Sequence, residues 1–443
     1  MKTQKIIFII GLQLLFLKSF AGDAILTELT LHKYIKTSVP RSIKAKARNL
    51  SGSNITSFTI GWRLNNGAIK TSQVFNIGGG GLGTTSFVYA EDYLNTLTVS
   101  TQSDNTLQVW ITAVGDTNHT NDTITFNFKA LAVNNYVNKV NLVEESSGNW
   151  CPPCAPASTV IASIKALPNT SVAVFHTGDI YENPEADDYF ESYFPTTTIY
   201  TPSAIFNMGE SGSHPLNSQS NVWLTDMSDR SNRITPVGLT MNPTYNTVTR
   251  QLDVSVTSTF KYSETGNYYV NVYIVEDGIV GTQVNATNPY THNDVVRKML
   301  GGIGTSGIIP TNPVVNTDYT NSYSFVLPST WNVNNLRLIG LVYRKDGTQK
   351  NNLNAMNYQF SQILSTTDFS FFPNPASDQI SIENVSLNMG DTVSIFNLKG
   401  QLLLQKDVDS ETMNFNISEF PVGIYLIKVK TENGLVVKKF IKQ

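Results

Sequence analysis

Two cysteines, Cys151 and Cys154, stand in the 443-residue chain with Pro152 and Pro153 between them. Two sulfurs at the spacing of one helical turn can close a disulfide and reopen it, as thiol-disulfide exchange requires. The strand-like segment Lys139 to Glu145 precedes the pair, and Ala155 to Leu167 reads as a helix after it. That order puts Cys151 at a helix N-terminus, where unpaired amides and the macrodipole favour the thiolate, the nucleophile of the exchange. Pro152 and Pro153 then fall in the first helical positions, where a missing N–H costs little, yet each removes an amide that would have stabilised the Cys151 sulfur. A solvent-reachable Cys151 sulfur is expected of a redox site, and a buried one favours a fixed bridge in a scaffold. Closing so short a loop restricts the unfolded chain by only roughly 2 kcal/mol, a weak reason for a purely structural bridge. Two thiolates supply half of a tetrahedral zinc site, and none of His32, His119, His176, His214 and His292 lies at finger spacing. Neither a metal nor a cofactor is expected.

Trp150 stands directly before Cys151, and this Trp-Cys-x-x-Cys run resembles the signature of the thioredoxin superfamily. In that superfamily a cis-proline just before a strand faces the cysteines. Thr201-Pro202-Ser203-Ala204-Ile205-Phe206 has the order and distance to supply it. Pro202 is preferred over Pro195 because an extended run follows it directly. The resemblance implies that Cys151 attacks, Cys154 resolves the mixed disulfide and Pro202 aligns a bound peptide. Glu144 and Glu145 precede the motif, and either could be the acid that faces it.

Other polar groups have plainer readings. His176 ends an apolar strand from Val172, which fits a hydrogen-bonded histidine better than a group that tunes a thiol. Asp179, Glu182, Glu185, Asp187 and Asp188 read as a solvated acidic helix rather than a cation site. Asn118-His119-Thr120 and Asn121-Asp122-Thr123 match glycosylation sequons, which chance supplies in an Asn- and Thr-rich chain. The run Gly78 to Gly83 lacks the Lys-Ser/Thr of a phosphate loop and reads as a turn.

The elements that must position these groups fall into blocks. From Asp23 to about Asn134 apolar residues alternate, as in Phe58, Ile60, Trp62 and Leu64 before the hairpin signal Asn65-Asn66-Gly67. This argues for a sandwich of immunoglobulin-like architecture. Residues 135–235 form the α/β block, with helical patterns at Glu185 to Phe194 and Asn217 to Ile234. Alternation returns over 236–362, where a second β-sandwich is expected, with turns at Asp277-Gly278 and Asp346-Gly347. Residues 367–443 carry short strands around Ile380, Ser394 and Tyr425 and read as a small third sandwich.

Composition narrows the function classes. Charged residues make up 15% of the chain, and 31 basic against 34 acidic side chains give −3, without the basic excess that phosphate recognition needs. Nucleic acid is excluded as a partner, and 22 Phe, 19 Tyr and 5 Trp exclude a disordered chain. Residues 1–22 read as a cleaved export signal: a cationic start, an apolar run from Ile6 to Phe20, and small residues around Ala21. The run is shorter than the roughly 20 residues that span a bilayer, so no transmembrane span is expected in the mature chain.

Two resemblances agree with export. Val143-Glu144-Glu145 through Ala155, Val275-Glu276-Asp277-Gly278 and His292-Asn293-Asp294-Val295-Val296-Arg297 make Tyr136 to Gln362 similar to the twenty-eight-kilodalton outer-membrane-protein family of gram-negative bacteria. Phe372-Pro373-Asn374-Pro375-Ala376, the block from Val393 to Gly400, and Pro421 through Phe440 resemble the type IX secretion sorting domain. The first implies a thioredoxin-like domain followed by a β-sandwich. The second implies the type IX secretion machinery as partner and a place at the cell surface or beyond. The expected fold is multidomain: a thioredoxin-like α/β domain flanked by immunoglobulin-like β-sandwich domains, plus a small C-terminal β-sandwich sorting domain. The expected function is thiol-disulfide exchange with a protein or peptide through Cys151 and Cys154. The rival is a non-enzymatic adhesin or binding protein with a structural bridge.

Overall fold

A computed structural model describes residues 23–443 except 30, 42, 44, 51–54, 56, 73, 77–86, 90–96, 186–187, 191–199, 210–219, 229, 305, 361–368, 385–390, 411 and 432–433. The export signal, the glycine run at 78–83, Pro195 and Asp187 lie outside the described residues. The chain divides into two units, Met1–Val133 and Asn134–Gln443.

The first unit is built from two sheets. Ala24–Leu29, Ala45–Asn49 and Phe87–Tyr89 form one, and Ser103–Ala113 pairs between Ser57–Leu64 and Thr123–Leu131 in the other. Phe58, Ile60, Trp62, Leu107, Val109 and Ile111 point into one apolar core, as the period-two alternation dictates. Asn65 and Asn66 take left-handed backbone, φ 51° and 58°, and turn the chain as the Asn-Asn-Gly signal requires.

In the second unit an α/β block comes first. Asn141–Ser147 pairs parallel with Thr170–His176 and antiparallel with Ser203–Phe206, and the helix Cys154–Lys165 makes the crossover between the parallel strands. Val143, Val172, Val174, Ala204 and Phe206 pack under that helix and under the helix Ser220–Ser228, through Ala157, Ile161, Ile164, Trp223 and Met227. The helical pattern expected over Glu185 to Phe194 is seen at 188–190, and 191–194 lie outside the described residues.

The boundary expected at 235/236 runs through one continuous sheet. Thr170–His176 pairs with Val295–Met299, and Tyr268–Glu276, Leu336–Asp346 and Gln349–Gln359 follow in order, giving an eight-stranded sheet that includes the short strand Ile308–Ile309. An apolar strand left at an edge would invite foreign pairing, and the later strands cover it. One core joins the two segments, with Leu142, Phe175 and Ile205 packed against Tyr273, Val296, Ile339 and Leu341. Buried asparagines seal the junction: Asn354 Oδ1 accepts the Val140 amide at 2.8 Å, and the main-chain O of Asn207 accepts the Asn352 amide at 2.9 Å. The three-stranded sheet Val237–Asn246, Gln251–Phe260 and Asp318–Val326 closes a second core with Val270, Val272, Leu338 and Val342.

The C-terminal region is a distinct β region. Phe369–Phe372, Gln379–Asn384 and Thr412–Asn416 make one sheet, and Leu402–Asp407, Thr392–Asn397, Gly423–Thr431 and Gly434–Lys442 the other, around Phe369, Ile380, Ile395, Ile427 and Phe440.

Candidate functional site

The site is assembled at the C-terminal end of the strand Asn141–Ser147, all of whose residues are buried. Cys151 and Cys154 are joined by a disulfide of 2.03 Å. The helix begins at Cys154 with Pro153 as its N-cap, three residues later than a start at Cys151. A residue that precedes a proline is disfavoured in the α region, so Cys151-Pro152-Pro153 forms a turn closed by the Cys154 amide on Cys151 O at 3.3 Å, and the first helical bond runs from the Ala157 amide to Pro153 O. Of the first-turn positions, the Cys154 amide is taken by Cys151 O and Pro156 has no N–H, so Ala155 alone offers a first-turn amide beside Cys154.

Both cysteines are buried, Cys151 at 1% and Cys154 at 2% exposure. The side chain of Gln283 reaches in from the segment between the strands Ile279–Gly281 and Tyr290–His292, donating to Cys151 O at 2.9 Å and Gly148 O at 3.3 Å. The Val284 amide donates to Asn149 O at 2.8 Å, and the Tyr290 hydroxyl lies 2.6 Å from Ser158 Oγ on the helix. This cover comes from beyond residue 236 and was not legible in the motif.

Thr201-Pro202 is a cis peptide, Pro202 is buried, and Thr201 O lies 3.5 Å from Cys151 Sγ. A disulfide sulfur carries no proton, so this contact becomes a hydrogen bond only when the bridge is reduced. Ser146 Oγ lies 3.0 Å from Thr201 Oγ1 and ties the two strands beneath it. Trp150 is half exposed and donates from Nε1 to Thr177 O at 2.8 Å. Its ring needs Gly148, because a Cβ there would stand 2.7 Å from Trp150 Nε1.

Alternation separates the two glutamates. Glu144 faces the core with Leu142, where its carboxylate accepts from the hydroxyls of Tyr189 and, at 2.9 Å, Tyr273. Burial pushes it up to about 7. Glu145 faces the helix and lines a cavity of about 480 Å³ with Cys154, Ser158, Lys165, His176, Tyr290, His292 and Asp294. Burial, and then the negative charge of Asp294, push Glu145 up to about 8, and its Oε1 has no hydrogen-bond partner.

Around the cavity the polar groups are locked. His176 Nδ1 lies 2.7 Å from Asp179 Oδ2, which also accepts the Asn149 amide at 2.7 Å. Burial works to raise the Asp179 pKa, but these bonds reverse it and leave the group below its ordinary value. Asp179 is thus a buried anchor of the loop before the cysteines, not part of a solvated acidic helix. Glu185 pairs with Lys298 at 2.6 Å. Burial and the neighbouring His176 lower the His292 pKa. At the far end, Lys165 pairs with Asp294 at 2.7 Å, and Arg337 Nη2 donates to Asp294 and to Val172 O. His292 and Asp294 stood out in the sequence only as family-like residues, with nothing to place them beside the cysteines.

The family profile described as outer membrane protein Omp28 matches residues 187–363, later than the expected start at Tyr136, and the secretion system C-terminal sorting domain matches residues 370–443. No curated protein matches the chain at a significant level. Among solved structures, HBP35 of Porphyromonas gingivalis aligns at 16% identity over 69% of this chain and 98% of that one, with a TM-score of 0.44. A domain of the outer membrane lipoprotein Omp28 from Porphyromonas gingivalis aligns at 18% identity over 28% of this chain and 86% of that one, with a TM-score of 0.19. Among the described residues no helix is long and apolar enough to cross a membrane. The chain carries an Omp28-like domain ahead of a type IX secretion sorting domain, and it is an exported protein of the cell surface or exterior with a disulfide set at the start of a helix.

Proposed function

We propose that the protein exchanges thiols and disulfides with exported proteins or peptides, using a thioredoxin-like domain at 135–235 whose sheet is extended by the β-sandwich segment 236–362. An immunoglobulin-like sandwich at 23–134 and the sorting domain at 367–443 complete the chain. The thioredoxin-like reading rests on the strand-disulfide-helix-strand crossover and on Pro202 preceding the strand that pairs antiparallel beside it. In the oxidised form a substrate thiolate attacks Cys151 Sγ. The Cys151–Cys154 bond breaks, and Cys154 leaves as a thiolate at the helix N-terminus, taking a proton from Glu145. A second substrate thiolate then attacks its own mixed-disulfide sulfur, releasing Cys151 as a thiolate and the substrate as a disulfide. The reverse sequence reduces a substrate disulfide. Pro202 and the Thr201 carbonyl flank the attacked sulfur and align the peptide.

Glu145 is the observation that carries this reading. A carboxyl group buried with an oxygen, Oε1, left unpartnered is costly, and a bridge that only staples a turn gains nothing from it, whereas a leaving thiolate needs a nearby proton. The test is turnover of insulin with a dithiol reductant. Turnover that Cys151→Ser abolishes supports exchange, and equal rates for the two proteins remove it. The burial of both cysteines favours the second reading, a structural bridge in a binding protein. It predicts that the folded protein resists a dithiol at concentrations that reduce insulin.

A further inference from the structure

The two cysteines meet different surroundings. At Cys151 the Gln283 side chain and the Val284 amide bond to the backbone of residues 148–151, and Thr201 O lies 3.5 Å from the sulfur. Cys154 instead lines the cavity of about 480 Å³ between the helix Cys154–Lys165 and the strand Tyr290–His292. The rim residues Thr159, Ala162 and Asn293 are exposed, and Glu145, Cys154 and His176 below them are buried. That volume lies in the range of small-molecule sites, about 300–1,000 Å³.

One polar group in the cavity lacks a partner. Glu145 is 2% exposed, and its Oε1 accepts no hydrogen bond. The neighbouring charges are matched: Lys165 with Asp294 at 2.7 Å and Asp277 at 3.3 Å, Arg337 with Asp294, and His176 with Asp179. The charge that acts on Glu145 is that of Asp294, which is negative. A cationic donor at Oε1 supplies the missing hydrogen bond and offsets that repulsion. A metal ion fits less well, because among the described residues the His, Cys, Asp and Glu donors gathered within 4.8 Å of one another are those of Asp116, His119 and Asp122, in the N-terminal unit. An ammonium group, compact and with three donors, fits better. The cavity's other reactive group is the Cys154 sulfur, so a small molecule with an ammonium at one end and a thiol at the other meets both.

We propose that this cavity binds a low-molecular-weight aminothiol, which opens the bridge at Cys154 and supplies the electrons that Cys151 passes to a protein substrate, the last step resting on the exchange reading above. The ligand thiolate attacks Cys154 Sγ, the Cys151–Cys154 bond breaks, and Cys151 leaves as a thiolate. A second aminothiol thiolate attacks the ligand sulfur of the mixed disulfide and releases Cys154 as a thiolate. Two aminothiols are thereby oxidised to their disulfide, the bridge is reduced to two thiols, and the two protons lost by the ligands go to the two cysteines. Electrons enter at Cys154 and leave at Cys151, so donor and protein substrate do not compete for one sulfur.

The experiment follows opening of the bridge in the oxidised full chain, by thiol trapping, with cysteamine, with 2-mercaptoethanol, which carries a hydroxyl in place of the ammonium, and with 3-mercaptopropionate, which carries a carboxylate. Each rate is divided by that of the same thiol on the urea-unfolded chain, which cancels differences in thiol reactivity. On that scale cysteamine should exceed 2-mercaptoethanol about tenfold, the worth of one charge-assisted hydrogen bond, and 3-mercaptopropionate should be slowest. The cysteamine rate should saturate with concentration, and 2-(methylsulfanyl)ethylamine, which cannot exchange, should inhibit it competitively. Ala162→Trp at the rim should remove the cysteamine advantage while the pre-reduced variant still transfers electrons to insulin at the wild-type rate. Equal scaled rates for the three thiols, or no inhibition by the methylated amine in the wild type, overturn the proposal whether or not the variant folds. If the pre-reduced wild type then still reduces insulin, the exchange reading stands without the aminothiol site. A cysteamine preference in a chain that never reduces insulin keeps the site and removes the exchange reading.

Discussion

Gln283 Nε2 donates to the carbonyl oxygen of Cys151 over 2.9 Å, so a side chain 132 positions downstream holds the backbone of the first cysteine. It is 3% exposed and also reaches Gly148 O, and so braces both ends of the turn that carries Cys151. The chemistry of the motif is thereby tied to a segment outside the α/β block.

Removing that brace should expose the bridge. In Gln283→Ala two buried carbonyls lose a donor and keep a backbone one each, a cost of about 0.5–1.5 kcal/mol per bond to the closed arrangement. The disulfide should then be reduced by a small dithiol several-fold faster than in the wild type, as read by thiol labelling under native conditions. Unchanged labelling would show that the Gln283 contact does not control access.

Glu145 makes stability depend on pH in a defined direction. Burial raises its pKa from an ordinary 4.5 to about 8. The folded state holds the proton that the unfolded chain releases, so this stabilisation is full below about 4.5 and is lost as pH rises toward about 8. Chemical denaturation should show wild-type stability falling across that window, with Glu145 contributing roughly 5 kcal/mol and buried Glu144 adding to the fall up to about pH 7, and Glu145→Gln removing the Glu145 share. If Glu145 also protonates Cys154, opening of the bridge by a substrate thiol should slow as Glu145 ionises near pH 8, and Glu145→Gln should lose that dependence. A pH profile identical in the two proteins argues against the proton-donor role.

Asp294 holds two charges at once, Lys165 and the buried Arg337. Asp294→Ala leaves the Arg337 guanidinium buried beside Val172 O with only the more distant Asp277 carboxylate, 3.8 Å from Nε, a loss at the low end of about 3–5 kcal/mol. Urea denaturation measures it, and Asp294→Ala with Arg337→Met should lose much less than the sum of the single variants. Asp294 also raises the Glu145 pKa, so Asp294→Asn should shift the Glu145 transition to lower pH. A transition left in place would remove that coupling.

The sorting region should be dispensable for the fold of the site and needed for its destination. Its core, around Ile380, Ile395 and Phe440, is separate from those at the disulfide. Deleting residues 370–443 in the producing bacterium should leave the chain inside the outer membrane with its bridge formed, as fractionation and thiol labelling report. Arrival at the surface without these residues would contradict their match to the sorting domain.

What the sequence alone decided is local. The Cys151/Cys154 spacing, the strand before it, the helix after it and the alternation at Phe58, Ile60 and Trp62 follow from spacing and period, because those patterns need only near neighbours. The choice of Thr201-Pro202 and the reading of the C-terminal blocks came from resemblance to known families. Which of Glu144 and Glu145 meets the cysteine helix depended on which face that helix covers, and adjacent strand residues point opposite ways. The start of the helix shifted to Cys154 because a residue that precedes a proline is disfavoured in the α region, and both Cys151 and Pro152 do so. The continuous sheet across residue 236, and the arrival of Gln283, Tyr290 and Asp294 at the site, arise from pairing between strands more than a hundred residues apart, as in Val174 with Val295. Periodicity along the chain records which face is buried and carries nothing about which strand lies beside it, so only the tertiary structure could enclose the disulfide.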